Sequence, residues 1–213
     1  MNILIACEES GTVRDAFIKK GHNAISCDIL ETSNPGPHIA GDVLPLLEYE
    51  WDLVIAHPPC TYLSNSGVTW LYKSESSGKG WPNPVKFTKE RNEERWKKME
   101  EAALFFDIFR KIKCERVCIE NPIPHKYGIG KTYSQIIQPW QFGHPEQKAT
   151  CLWLKGLPEL VATNNVKVEM EKLSDKERQR LHYLPPGKDR AKIRSKTFQG
   201  IADAMAEQWG KND

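Results

Sequence analysis

At 213 residues the chain is long enough to bury one substantial core. Its 30 basic and 28 acidic residues nearly cancel, to a net charge of +2, so any basic footprint for nucleic acid must be local. No run of eighteen apolar residues occurs, the start lacks the basic residues and small-residue cleavage site of a signal peptide, and none of the six cysteines forms a Cys-x-x-Cys pair; a reduced, cytoplasmic protein with no membrane span and no metal is expected.

Asn2–Ala6 reads as a short buried strand, followed by a polar turn with Gly11 and a helix over Val13–Lys20 that Gly21 ends. Asn23–Cys27 is a second strand stopping at Asp28, and residues 31–38 form a turn-rich loop. Gly41–Asp42 ends a short segment, and Asp52–Ala56 is a further strand. Lys73–Pro84 has loop composition, and the longest helical pattern runs from about Thr88 to Lys111, with Trp96, Met99, Ala103, Phe106, Ile108 and Phe109 spaced as a core face. Arg116–Ile119 is a strand that runs out at Glu120-Asn121-Pro122. Strands alternating with helices predict an α/β fold, a mostly parallel sheet with helices on both faces.

Beyond residue 135 the pattern changes. Gln138–Phe142 and Ala149–Lys155 read as paired strands, and Val166–Met170 as a third. Ser174–Leu181 reads as a charged helix with Ser174 and Glu177 in a capping box. GKDRAKIRSK at 187–196 reads as a basic loop, and about Thr197–Trp209 as the last helix.

In such a sheet ligands bind beyond the carboxyl ends of the strands. Four strand ends carry polar or reactive groups: Glu8-Glu9-Ser10-Gly11, Asp28, Cys60 and Glu120. Asp28 suits either ribose hydroxyls or a helix N-cap. Pro58 and Pro59 fix the backbone before Cys60, which suits a nucleophile or an inert thiol at a rigid turn. Glu120, on the expected neighbouring strand, adds a proton-handling carboxyl; the other reading is a cap.

In that order these residues resemble the DNA cytosine-C5 methyltransferases. Pro58, Pro59, Cys60, Ser64 and Gly67 keep the spacing of the family's nucleophile motif, with Thr61 where the family has glutamine. Glu120-Asn121-Pro122 resembles its Glu-Asn-Val motif, Gly41-Asp42-Val43 its Gly-Asp-Ile segment, and 173–185 its Arg-Leu-Gln-Gly-Phe-Pro motif. The cofactor loop reads Cys7-Glu8-Glu9-Ser10-Gly11 for Phe-x-Gly-x-Gly, with Arg14 and Ala16 in register. In Gln-x-Arg-x-Arg, Gln147 is present, but Ala149 and Cys151 stand for the arginines, and Lys148 lies on the other strand face.

The resemblance implies a Rossmann-like S-adenosylmethionine-dependent methyltransferase fold and methyl transfer to C5 of cytosine in DNA, double-stranded in the first instance, with base flipping. Cys60 would be the nucleophile, and Glu120 would bind the N3/N4 edge. Asp28 would hold the ribose and Asp42 the adenine amino group of S-adenosylmethionine, with Cys7, Glu9, Ser10, Gly11, Ile29 and Val43 completing that site. Pro59, Ser64, Asn121, Lys148, Lys188, Arg190 and Arg194 would face the nucleic acid, the basic ones through phosphates; a solvated charged loop is the other reading of 187–196. One catalytic domain, 1–213, is expected: a cofactor and catalytic core to 135, short strands and a reduced recognition region over 136–195, and a C-terminal helix over 196–213. The recognition block shrinks to about Gly156–Lys172, so a very short sequence context is expected. The alternatives are the same chemistry on RNA, single-stranded DNA or a nucleotide, and a catalytically silent nucleic-acid-binding or anti-restriction protein.

Overall fold

The runs NILIA and LVIA have no polar face to offer water, so they sit inside the sheet. In the structure, a computed structural model describing residues 1–75 and 85–211, they form β1 (Asn2–Ala6) and β4 (Leu53–Ala56). These pair in parallel at the centre, with Ile3–Ala6 and Leu53–Ala56 wholly buried. β2 (Asn23–Asp28) and β3 (His38–Ala40) extend the sheet on one side. On the other lie β7 (Val117–Pro122), then β9 (Thr150–Lys155) and β8 (Gln135–Ile137); the order is β3-β2-β1-β4-β7-β9-β8. β9 alone runs antiparallel to its neighbours. The chain reverses its direction of travel across the sheet between β1 and β4, which opens a crevice at their carboxyl ends.

Period-2 alternation sorts the side chains into two cores. Ile3, Ile5, Leu53, Ile55, Cys118 and Leu152 pack under α1 (Thr12–Lys19) and α6 (Gln199–Trp209). Leu4, Val54, Ile119, Cys151 and Trp153 pack under α2 (Glu93–Lys111) through Phe106 and Phe109. The expected α/β sheet, Rossmann-like and covered on both faces, is the observed one.

Several boundaries differ from the sequence reading. Thr88–Arg91 is not helical: Phe87–Arg91 is β6, a hairpin partner of β5 (Tyr72–Ser74), and α2 starts only after Asn92, whose side chain accepts from the Arg95 amide at 3.3 Å. Within the expected loop Lys73–Pro84, Lys73 and Ser74 belong to β5, and residues 76–84 lie outside the described residues. Residues 138–142 hold a 3-10 turn rather than a strand, because Gln138 caps Pro139–Gln141. Val166–Met170 is replaced by a short helix, α3 (Lys167–Glu171), which buries Met170. α4 (Asp175–Arg178) carries the expected box: Ser174 Oγ accepts from Glu177 N, and Glu177 Oε2 accepts from Ser174 N at 2.9 Å. The basic stretch contains a helix, α5 (Arg190–Ser195). Among the described residues, no helix is long and apolar enough to cross a membrane, no three metal-ligating side chains cluster, and the six cysteines are free.

Candidate active site

The turn after β1 is held from within. Cys7 takes a left-handed φ of 59°, rare for a side-chain-bearing residue. Glu8 folds back and is buried; its carboxylate accepts from the amides of Val13 at 2.7 Å and Arg14 at 3.2 Å, capping α1. Glu8 is therefore structural. Gly11 has φ 66°, and a Cβ there would meet Arg14 Nη2 at 2.4 Å. The Arg14 side chain is wholly buried, donating to Ser26 Oγ at 3.2 Å and to the Asn34 carbonyl at 2.9 Å, so it staples the 31–38 loop to the sheet.

Asp28 and Asp42 end neighbouring segments in matching turns. Each uses one carboxylate oxygen on its own chain, Asp28 accepting from Leu30 N and Asp42 from Leu44 N, both at 3.0 Å. No helix starts at Asp28, so its N-cap reading falls away. Burial pushes the Cys7 thiol up to about 12, and the charges of Asp28 and Asp42 add to it; both carboxylates thus lie close to this thiol. Ile29 beside them is 83% exposed and Val43 is buried. The result is an open, acidic bay with an apolar rim, chemistry suited to hydroxyl and amino donors on a flat aromatic group.

β4 and β7 build the second half. Their register pairs Ala56 with Ile119, and alternation then points His57 and Glu120 to the same face as Ile55 and Cys118. His57 Nδ1 stands 3.2 Å from Glu120 Oε2, while the His57 amide donates to the Ala6 carbonyl at 2.9 Å. Pro58 is buried and Pro59 exposed. Cys60 opens a tight turn whose carbonyl accepts from Leu63 N at 3.1 Å and Ser64 N at 3.0 Å. Gly67 is needed there, because a Cβ would press to 3.0 Å on the Thr61 carbonyl oxygen. Ser64 bridges to Pro124, so the segments after Cys60 and after Glu120 are clipped together.

Lys148 and Thr150 share the Glu120 face of β9 and its approach, and with His57, Phe198 and Met205 they wall a cavity of about 10 Å³. Cys151, at an arginine position of the resembled motif, packs in the opposite core under α2, so positive charge reaches Glu120 from Lys148 instead. Burial works against charge on Glu120, but the His57 hydrogen bond and the Lys148 and His57 charges outweigh it, and its pKa is lowered. Cys60 moves the other way: burial first, then the Glu120 charge, raise its pKa against the opposing pull of Lys148 and Arg194. Near neutral pH these directions favour an ionised Glu120 carboxylate and a protonated Cys60 thiol.

Three expected nucleic-acid contacts are engaged elsewhere. Asn121 alternates onto the α2 face opposite Cys151, wholly buried, its Nδ2 donating to the Pro122 carbonyl. Ser64 is 7% exposed with its hydroxyl on Ser66 at 3.1 Å. Arg190 spends its guanidinium on the carbonyls of Leu184 and His182, bracing α5. Lys188 is exposed, and Arg194 is close enough to Cys60 to act on its charge. Lys192 pairs with Glu9 at 2.7 Å, and Lys148 Nζ donates to the Lys196 carbonyl at 3.4 Å. Burial opposes the Glu9 charge, but Lys192 and Ser33 hydrogen bonds lower its pKa. His57 is the residue sequence reasoning missed. Its signal was its place one residue before the two prolines, a strand-end position that period-2 alternation aims at Glu120.

No family model and no curated protein matches the chain. Similar solved structures exist at low identity. A prophage-encoded E. coli protein described as a DNA modification methyltransferase is 12% identical with a TM-score of 0.43, over 82% of this chain and 56% of that one. The Entamoeba histolytica methyltransferase EhMeth is 16% identical with a TM-score of 0.44, over 78% and 57%. The S. pombe Dnmt2 methyltransferase is 14% identical with a TM-score of 0.41, over 89% and 61%. The chain thus spans little more than half the length of these structures.

Proposed function

We propose that the chain is an S-adenosylmethionine-dependent methyltransferase acting on C5 of cytosine in DNA through a covalent Cys60 adduct. The observation that carries this reading is the convergence of Cys60, His57, Glu120 and Lys148 at adjacent strand ends, beside the acidic bay.

The bay fits the cofactor by its donor set: Asp28 and Asp42 would accept from ribose hydroxyls and the adenine amine, with Ile29 and Val43 against the ring. When bound, the cofactor supplies the electrophilic methyl that C5 takes.

The protein's own residues must make C5 nucleophilic. The Cys60 proton passes by way of Glu120 to N3 as the sulfur adds to C6; the C5–C6 π electrons shift into a C4–C5 double bond, and the C4–N3 π pair takes up that proton at N3. Glu120 holds the protonated N3 and the N4 amino group, and His57 and Lys148 hold Glu120 in place. Once C5 is methylated, its proton leaves to a base, the C6–sulfur bond breaks and the thiolate is released. The opposed pKa shifts fit this order. The Glu120 charge raises the Cys60 pKa, so a ring that neutralises Glu120 also eases formation of the thiolate. Activation is then tied to a correctly seated base, which must be flipped from the duplex to reach the site.

The 156–172 segment bears only the five-residue α3, too little surface to read a duplex at length, which favours the same chemistry on single strands or RNA as the second reading. Bisulfite sequencing of DNA from cells expressing the protein tests the first. Converted cytosines throughout, with transfer to RNA in vitro, would replace DNA by RNA.

A further inference from the structure

A second cavity among the described residues lies outside the crevice. It encloses about 400 Å³ between the 3-10 turn at 65–71, the β5–β6 hairpin and the 125–131 segment. That volume lies in the range of sites that hold small organic groups. Tyr72, Phe87 and Tyr127 supply its aromatic surface, Lys126 and Lys131 its charge, and Asn65 an amide; no lining residue is acidic.

The aromatics are braced from behind. His125 is 2% exposed; its Nε2 donates to the Tyr62 carbonyl at 2.8 Å, and its Nδ1 accepts from the Tyr127 amide at 3.2 Å. Tyr127 stands 5.1 Å from Trp96, and its hydroxyl accepts from that of Tyr72 at 3.0 Å. Phe87 meets Trp70 edge-on at 5.0 Å. Rings held this way lose little freedom when another ring stacks on them.

The cavity is also tied to the reaction centre. Asn65 is five residues beyond Cys60 and donates to the Ile123 carbonyl at 2.8 Å, while Leu63 accepts from the His125 amide at 3.1 Å. Five residues span at most about 18 Å, roughly five steps along a strand at about 3.4 Å each.

We propose that this cavity is a second nucleotide subsite: it stacks a base of the substrate strand that flanks the target cytosine, while Lys126 and Lys131 meet the adjoining phosphates. The proposal rests on the reading above in that Cys60 and Glu120 place the strand. Every base has a stacking face, so the subsite adds affinity without demanding a sequence. It gives the β5–β6 hairpin the strand-holding task that the short 156–172 segment cannot perform.

The test uses the full chain with single-stranded and duplex oligonucleotides carrying 5-iodouracil at successive positions. Irradiation should link one or two neighbouring positions to peptides containing Tyr72, Phe87 or Tyr127. Tyr127→Ala should lose that link and weaken oligonucleotide Kd about ten-fold. Tyr127→Phe, which keeps the ring, should bind like the wild type, and melting curves check that both variants fold. Lys126→Gln should flatten the salt dependence by about one unit of slope. Links confined to other segments at every position, or an unchanged Kd in Tyr127→Ala, would overturn the subsite. Methyl transfer assayed on the wild type separates the two ideas: a protein that links through Tyr127 but transfers no methyl keeps the subsite and loses the proposed reaction.

Discussion

Around Asp28 and Asp42 the strand ends open outward, with single-sign charge and an isoleucine 83% exposed, whereas around His57 and Glu120 they close on about 10 Å³, room for about one water. In the acidic half Asp42 is exposed and Asp28 half-buried, each spending one carboxylate oxygen on its own turn. The other half mixes a carboxylate, an imidazole and an ammonium, and Thr197, Phe198, Ile201 and Met205 close it. An open half and a closed one thus share a single sheet edge, and the closed one holds the carboxylate whose charge bears on Cys60.

Substitutions can break this division or sharpen it. Cys60→Ala should take methyl transfer to background while calorimetry finds cofactor affinity intact; a loss of both would mean that the halves are not separable. Glu120→Gln should lower turnover by about 10²–10⁴-fold, the usual weight of a proton-handling group, and change DNA affinity far less, since its contact tightens in the transition state. Asp28→Ala should weaken cofactor binding by about 1–3 kcal/mol, with turnover at saturating cofactor retained; equal damage to turnover would place Asp28 in the chemistry. The smallest effect is electrostatic. The Cys60 pKa is raised, so the thiolate fraction, and alkylation by iodoacetamide, should climb with pH through and beyond neutrality. Removing the negative charge in Glu120→Gln lowers that pKa and should speed alkylation several-fold at pH 8, and Lys148→Met should slow it. The reverse order would show that burial alone governs the thiol.

The sheet was legible because buried parallel strands leave unbroken apolar runs, as in Ile3–Ala6 and Leu53–Ala56, and because Gly11, Gly21 and Asp28 punctuate them. Cys60 and Glu120 were legible because a reactive group after such a run has little to pack against. What stayed hidden depended on partners distant in sequence. Thr88–Arg91 continues the helical pattern of α2, yet hydrogen bonding to β5 and the Asn92 cap turn it into a strand. Val166 and Val168 suggest a strand, but the segment winds into one helical turn that buries Met170. Arg190 looks like a phosphate ligand until the carbonyls of His182 and Leu184 are seen around it. His57 stands just before two prolines in the sequence, and only the β4–β7 register shows where its ring goes.

The Glu9–Lys192 ion pair gives the two halves a thermodynamic tie. It joins the loop after β1 to α5, which also carries Arg194, whose charge is felt at Cys60. A ligand that engaged Glu9 would compete with Lys192, and an anion that captured Lys192 would release Glu9. Linkage makes such coupling reciprocal: whatever factor one ligand adds to the other's affinity, it receives in return. Ligands competing for the two members of this pair would therefore be coupled through one carboxylate and one ammonium.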